Sequence, residues 1–251
     1  MERKFGWKRQ LPDYRDFMLS LVSPADELTL PKSADLRLQD TAIYDQLNLG
    51  SCTANAWAGI FEFLKKKQAE PYWTPSRLEI YYYERVLEGT VKTDSGAELR
   101  DGVKVLTKQG VCPETEWPYN VKKFTSKPTS KCNKDALKNE VIQYLAVTPT
   151  ATQFKGCLAA GYPYVFGFTV YSSFMSDEVA KTGIMPMPSP EDQVEGGHAV
   201  MAVGYDDTNQ WYIIRNSWSS DWGDKGYFYM PYSYMTNNSL CADFWTIRKV
   251  A

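Results

Sequence analysis

Gly50-Ser51-Cys52-Thr53-Ala54-Asn55-Ala56-Trp57-Ala58-Gly59-Ile60-Phe61-Glu62-Phe63-Leu64-Lys65-Lys66-Lys67 sets one cysteine at the head of an apolar helical pattern. Ala54, Trp57, Ala58, Phe61 and Leu64 recur at helical spacing, Ser51 stands where an N-cap belongs, and the three lysines suit the negative end of the helix dipole. A buried helix over 52–67 is expected. At its first turn backbone N–H groups point outward and the dipole favours an anion, so Cys52 is placed to be a thiolate. Most free cysteines are small buried hydrophobes with no chemical role, and the rest of the chain has to decide.

A thiol that transfers acyl groups needs an imidazole to hold the ion pair and protonate the leaving amine, plus donors for the developing oxyanion. The chain has one histidine, His198, and imidazole is the side chain whose ordinary pKa lies in the physiological range. His198 opens a β-like run directly after Glu195-Gly196-Gly197, where glycine lets another backbone approach closely. Farther on, Trp211-Tyr212-Ile213-Ile214-Arg215-Asn216-Ser217-Trp218 ends a hydrophobic strand in an asparagine, followed by the turn-rich stretch from Ser219 to Tyr227.

The rest of the chain changes character along its length. Helical patterns cover Pro75–Leu87 and Leu99–Lys108, the latter stopped by Gly110. From about 140 onward, Tyr164–Val170, His198–Val203, Trp211–Ile214 and Tyr227–Tyr229 are short runs of β-branched and aromatic residues. This predicts an α+β chain, helical first and stranded second, joined through the Lys-, Ser-, Thr- and Pro-rich tract Lys122–Lys134. Residues 1–29, with Phe5, Trp7, Tyr14 and Phe17 around Leu11-Pro12-Asp13, read as an extended arm. The expected organisation is therefore 1–29 arm, 30–135 helical lobe and 136–251 β lobe.

Composition excludes several classes. The 28 basic and 30 acidic side chains nearly cancel, leaving no field to hold nucleic acid or an anionic membrane. No run of 18 apolar residues occurs, and Met1–Arg9 is charged and aromatic, which argues against a membrane span and a secretory signal. Cysteines at 52, 112, 132, 157 and 241 form an odd set in a chain whose size does not require disulfides, so a reducing compartment is favoured. One histidine and scattered cysteines give no zinc-like spacing; neither metal nor cofactor is expected.

Gln46 with Gly50-Ser51-Cys52, Gly197-His198-Ala199 with Val203-Gly204-Tyr205, and Asn216-Ser217-Trp218 with Trp222-Gly223 and Gly226-Tyr227 resemble the papain family of cysteine peptidases in residue type and order. His198 and Asn216 follow Cys52 by 146 and 164 residues, near the roughly 130 to 150 of papain-like enzymes. The resemblance spans about residues 30–250. It implies a two-lobed fold, a helical domain and an antiparallel β-barrel-like domain with the active site in the cleft between them. It implies that Cys52 attacks the scissile carbonyl, His198 is its base, Asn216 orients the imidazole, and Gln46 joins the Cys52 N–H in the oxyanion hole. Trp218 would shield the His–Asn bond; Ser95, Gly96, Ala97 and the Gly197 carbonyl would pair with substrate backbone; Phe244 or Trp245 would floor a specificity pocket.

Two departures stand out. Leu49 and Thr53 replace the family's usual cysteine and tryptophan, so the usual disulfide from the first position is lost, and Cys241 has no evident partner. Only about 30 residues precede the mature-like start near Leu30-Pro31, similar to bacterial and viral members with short N-terminal extensions. The expectation is a thiol endopeptidase, monomeric and intracellular or virion-associated, acting on a peptide or protein and kept as a zymogen by its own arm lying across the cleft. A structural arm packed behind the fold is the alternative for residues 1–29. For the activity the alternatives are an acyltransferase or ligase using the same acyl-thioester and a catalytically silent binding homologue.

Overall fold

Helix α2 (Cys52–Lys67) is buried from Cys52 to Lys65. A helix buried on every side must be surrounded by other elements. A computed structural model, which describes residues 3–23 and 25–251, shows how. Helices α3 (Arg77–Leu87) and α4 (Leu99–Lys108) pack on one side, and the sheet packs on the other. The indole N–H of Trp57 donates to the Leu99 carbonyl at 3.0 Å, fastening α2 to the start of α4. In the last turn Lys65 and Lys66 donate to the carbonyls of Ala251 and Asp40. Ser51 occupies the N-cap position without making the cap bond. Its hydroxyl accepts from Asn55 Nδ2 and pairs with the Tyr119 hydroxyl instead.

The sheet is built from β1 (Ser33–Asp35), β2 (Val141–Ala146), β3 (Tyr164–Tyr171), β4 (Val194–Asp206), β5 (Trp211–Arg215), β6 (Tyr227–Pro231) and β7 (Cys241–Val250). Its path is β2-β7-β3-β4-β5-β6, with β1 paired to β4, and every pairing is antiparallel. Among the described residues no pairing joins β2 to β6, so the sheet is barrel-like without closing. The short helices α1 (Leu19–Val22), α5 (Ser130–Ala136), α6 (Ala151–Ala159), α7 (Asp177–Thr182) and α8 (Tyr232–Met235) flank this frame. The fold is α+β and two-lobed, with α2 lying along the boundary. β1 comes from the helical half, and part of the tract expected to be a connector folds as α5.

One register shift matters for the site. β3 pairs Val165 with Trp245 but Gly167 with Ala242, so β7 carries one extra residue between these rungs. Bulges bend a strand and re-aim its side chains. Asp243 sits in this stretch with φ 62°, in the left-handed region that non-glycine residues seldom adopt.

The cysteine expectation needs correction. Cys112, just after α4, and Cys132, in α5, form a disulfide with Cα atoms 5.4 Å apart. The tract between them turns back on itself, which its polar composition did not reveal. Cys52, Cys157 and Cys241 are unpaired and buried. The compartment argument from cysteine count therefore falls away. The bridge closes a 20-residue separation, for which chain entropy gives about 3 kcal/mol. Reduction with dithiothreitol is expected to lower the unfolding free energy extrapolated from urea titration by about that amount, and the midpoint with it; a midpoint unmoved by reduction would mean that the two thiols are not joined.

Candidate active site

The sequence that follows Cys52 buries the sulfur, and β4 meets it. The thiol lies against the backbone N–H groups of Ala199, Gly6 and its own neighbour Thr53. Ala199 is the residue after His198, so the packing of α2 on β4 brings the head of the helix to the only imidazole. His198 Nε2 and Asn216 Oδ1 are 2.8 Å apart, and that same oxygen accepts the Ser217 N–H. An amide oxygen only accepts, so Nε2 carries the proton. Nδ1 is then an unprotonated acceptor, buried and with no hydrogen-bond partner among the described residues. Trp218 stacks on the ring at 4.9 Å between centroids and 25° between planes, and Phe168 and Phe5 meet it edge-on.

Gln46 is fully buried. Its Oε1 accepts from Ser217 Oγ at 2.7 Å, and Tyr119 donates to its backbone carbonyl. Its Nε2 donates to the carbonyls of Leu49 and Lys4. Lys4 belongs to the arm. Residues 3–10 run along the cleft: the Ala97 N–H donates to the Gly6 carbonyl (2.7 Å), Lys8 N–H to the Ala97 carbonyl (3.0 Å), and Trp7 N–H to the Gly197 carbonyl (2.9 Å). At Gly6 a Cβ would lie 1.8 Å from the Gly50 carbonyl oxygen, so only glycine lets the arm come this close. Arg3 pairs with Asp45 and its guanidinium lies over the Trp218 ring; Lys4 pairs with Asp94, and Lys8 with Glu88.

The structure thus brings Cys52, His198, Asn216, Gln46, Trp218, Ala97 and Gly197 to one place. Ser95 turns its hydroxyl inward to Thr90, and the Gly96 N–H donates to the Tyr81 hydroxyl. Phe244 is buried in an aromatic stack with Phe154 and Phe166. The group facing the arm at that point of β7 is its neighbour Asp243, which accepts from Trp7 Nε1 (2.9 Å) and Gln10 N–H (3.0 Å). Burial pushes the Asp243 carboxyl up to about 6, against the pull of these two bonds. No sequence pattern pointed to Asp243, because its direction depends on the bulge.

Residues 30–242 match the family model described as papain family cysteine protease. The chain belongs to the papain family. It is a cysteine-type peptidase, a hydrolase. An uncharacterised peptidase C1-like protein of Acanthamoeba polyphaga mimivirus is 39% identical, the alignment covering all of this chain and 88% of that one. Xylellain, a cysteine protease from Xylella fastidiosa, is 41% identical, superposes with a TM-score of 0.91, and is matched over 100% of this papain-family chain and 99% of its own. A procathepsin B from Trypanosoma congolense shares the fold at 18% identity and TM-score 0.74, over 98% and 87% of the two chains. No helix among the described residues is long and apolar enough to cross a membrane.

With the arm in place, burial pushes the Cys52 thiol up to about 12, although the Ala199 and Gly6 N–H groups pull the other way. Burial likewise takes His198 down to about 4, against the Asn216 bond. Both shifts favour the neutral pair. An unfolded chain accepts a proton at about pH 6.5 that the buried ring refuses until about 4, so stability is lost as pH falls through that window. Because this papain-family chain has one histidine, its imidazole NMR signal is unambiguous. In the intact protein it is expected to titrate near pH 4 and to move upward once the arm is displaced. An ordinary midpoint near 6.5 in the intact protein would contradict the burial described.

Proposed function

We propose that Cys52 is the nucleophile, His198 its base and then its acid, and Asn216 the group that fixes the ring, in an endopeptidase held latent by its own arm. One observation carries this reading: the helix-head sulfur touches the Ala199 N–H, beside an imidazole whose Nε2 is committed to Asn216 and whose Nδ1 is free. Nδ1 takes the thiol proton and the sulfur attacks the scissile carbonyl carbon. The oxygen, now negative, is met by Gln46 Nε2 and the Cys52 N–H. The imidazolium gives its proton to the leaving amine, and a water activated by the same ring hydrolyses the acyl-thioester, returning the thiol.

Latency is supported by what the arm occupies. Gln46 Nε2, the Ala97 amide and the Gly197 carbonyl, the groups assigned to substrate, all bond to residues 4–8. The arm's ion pairs are partly exposed, each contributing less than about 1 kcal/mol, so backbone pairing and the packing of Phe5 and Trp7 supply most of the docking. Endopeptidase action is supported by the same path, since a continuous chain enters at Asp45 and leaves past Asp243. In this reading 1–29 is a separable segment, and 30–135 and 136–251 are the lobes.

The test folds the full-length chain with an orthogonal-protease site inserted after Ser23, then cuts it. Hydrolysis of internally quenched peptides is expected to rise roughly 100-fold on cutting, equivalent to about 2.8 kcal/mol of arm docking, and to vanish in Cys52→Ala. An unchanged rate after the arm has dissociated would exclude latency. New amide products with an added amine, without free carboxylate, would reassign the reaction to acyl transfer.

A further inference from the structure

The cleft wall just before Cys52 turns on one peptide unit, that between Leu49 and Gly50. Its carbonyl accepts Gln46 Nε2 at 3.0 Å, and also the Ser51 N–H at 2.8 Å in the turn that leads into α2. Its N–H donates to the Asp94 carboxylate, 3.0 Å from Oδ1 and 3.2 Å from Oδ2. A peptide unit is planar, with its C=O and N–H pointing opposite ways, so a group that holds the N–H also aims the carbonyl. Glycine on one side of the plane offers little steric resistance to its rotation. Leu49, standing where the family usually has a cysteine, cannot anchor the wall by a disulfide. The Asp94 carboxylate holds the plane instead.

Asp94 is itself fixed. Tyr81, fully buried, donates its hydroxyl to Asp94 Oδ1 at 2.6 Å and accepts the Gly96 N–H at 3.0 Å. The Arg85 guanidinium lies over the Tyr81 ring and donates to the carbonyls of Val91 and Thr93, just before Asp94. Only 12% of the Asp94 side chain is exposed, and it faces the arm through Lys4 Nζ, 3.0 Å from Oδ2. Lys4 also gives its backbone carbonyl to Gln46 Nε2. The arm therefore grips both ends of a run that leads from the Asp94 carboxylate through the Gly50 N–H and the Leu49 carbonyl to the Gln46 amide. In such a run each bond polarises the next, so a carboxylate at its head makes the Leu49 carbonyl a stronger acceptor. An acid placed only to pair with the arm has no need of the Gly50 N–H or of Tyr81. An oxyanion donor is effective when it is aimed before the charge forms. We infer that Asp94 is a positioning residue: through the peptide between Leu49 and Gly50 it aims the Gln46 amide at the oxygen of the scissile bond. This rests on the peptidase reading proposed above, which makes Gln46 an oxyanion donor.

Two readouts on the cut, arm-free protein keep this inference and the peptidase reading apart. The first needs no activity: exchange with water of the Gln46 side-chain amide, followed by heteronuclear NMR and assigned by its loss in Gln46→Glu. Asp94→Ala is expected to speed that exchange at least about tenfold, as loss of a hydrogen bond to a charged group implies. Asp94→Asn still offers an oxygen to the Gly50 N–H and is expected to stay within about threefold of the parent. Tyr81→Phe keeps the packing but frees the carboxylate, and should speed exchange by about threefold to tenfold. The second readout is hydrolysis of an internally quenched peptide. Asp94→Ala is expected to lower kcat roughly 30-fold with KM within about threefold. Alkylation of Cys52 by iodoacetamide, a displacement that forms no oxyanion, should stay within about threefold of the parent. In a Gln46→Ala background Asp94→Ala should cost less than about threefold more, because the two act as one unit. If neither Asp94→Ala nor Tyr81→Phe moves Gln46 exchange, or if the kcat loss adds in full to that of Gln46→Ala, the inference is overturned. A parallel loss of alkylation overturns it too, since that marks a general loosening of the site. Should the exchange series run as expected while the parent cleaves no peptide, the link from Asp94 to Gln46 stands and the peptidase reading fails.

Discussion

A helix that is buried along almost its whole circumference has to be held by packing on every side, and the first turn of α2 is held by β4. That constraint places Cys52 against the Ala199 N–H and so beside His198. The partner side of the site is fixed as firmly. Arg215, the residue before Asn216, is buried and paired with Asp40, with further bonds to the carbonyls of Thr41 and Ala42; Tyr227 donates to the same Asp40 carboxylate. Removing one member of a buried pair strands a charge, at about 3–5 kcal/mol. The end of β5 therefore has little freedom, and Asn216 can hold the ring in one orientation.

Burial alone would leave an inert site. Out of contact with water, the thiol is pushed up and the imidazole down, each towards its neutral form. Against this stand the helix N-terminus and the N–H groups at the sulfur, which favour a thiolate. Which side prevails depends on what covers the pair, and Phe5 and Gly6 of the arm are part of that cover. In the proposed mechanism latency and recognition use one surface: the groups that hold the arm are those that would hold a substrate. The departure of the arm would then release the binding groups and readmit water in a single event.

Much of this was legible because helix spacing and residue order are strong signals. The pattern from Ala54 to Leu64 located α2, and Leu99–Lys108 located α4, because each carries a clear apolar stripe. The four chemical groups, Cys52, His198, Asn216 and Gln46, were named from their neighbours in the chain. β7 was missed because its run mixes Asp243, Arg248 and Lys249 with apolar residues, and β2 because it is six residues long and partly exposed. The Cys112–Cys132 bridge was missed because a polar tract turns back on itself. Asp243 was invisible for a different reason: a one-residue bulge decides which way that side chain points, and a bulge leaves no periodic trace.

In the proposed mechanism the helix-head sulfur and the sole imidazole act as one reactive pair. After the arm has been cut and has dissociated, treatment with an epoxysuccinyl thiol reagent and peptide mapping by mass spectrometry tests it directly. A single adduct on Cys52, absent from Cys157 and Cys241 and abolished by His198→Ala, is the expected result. Equal labelling of the three unpaired thiols, or undiminished labelling of Cys52 without the imidazole, would contradict it.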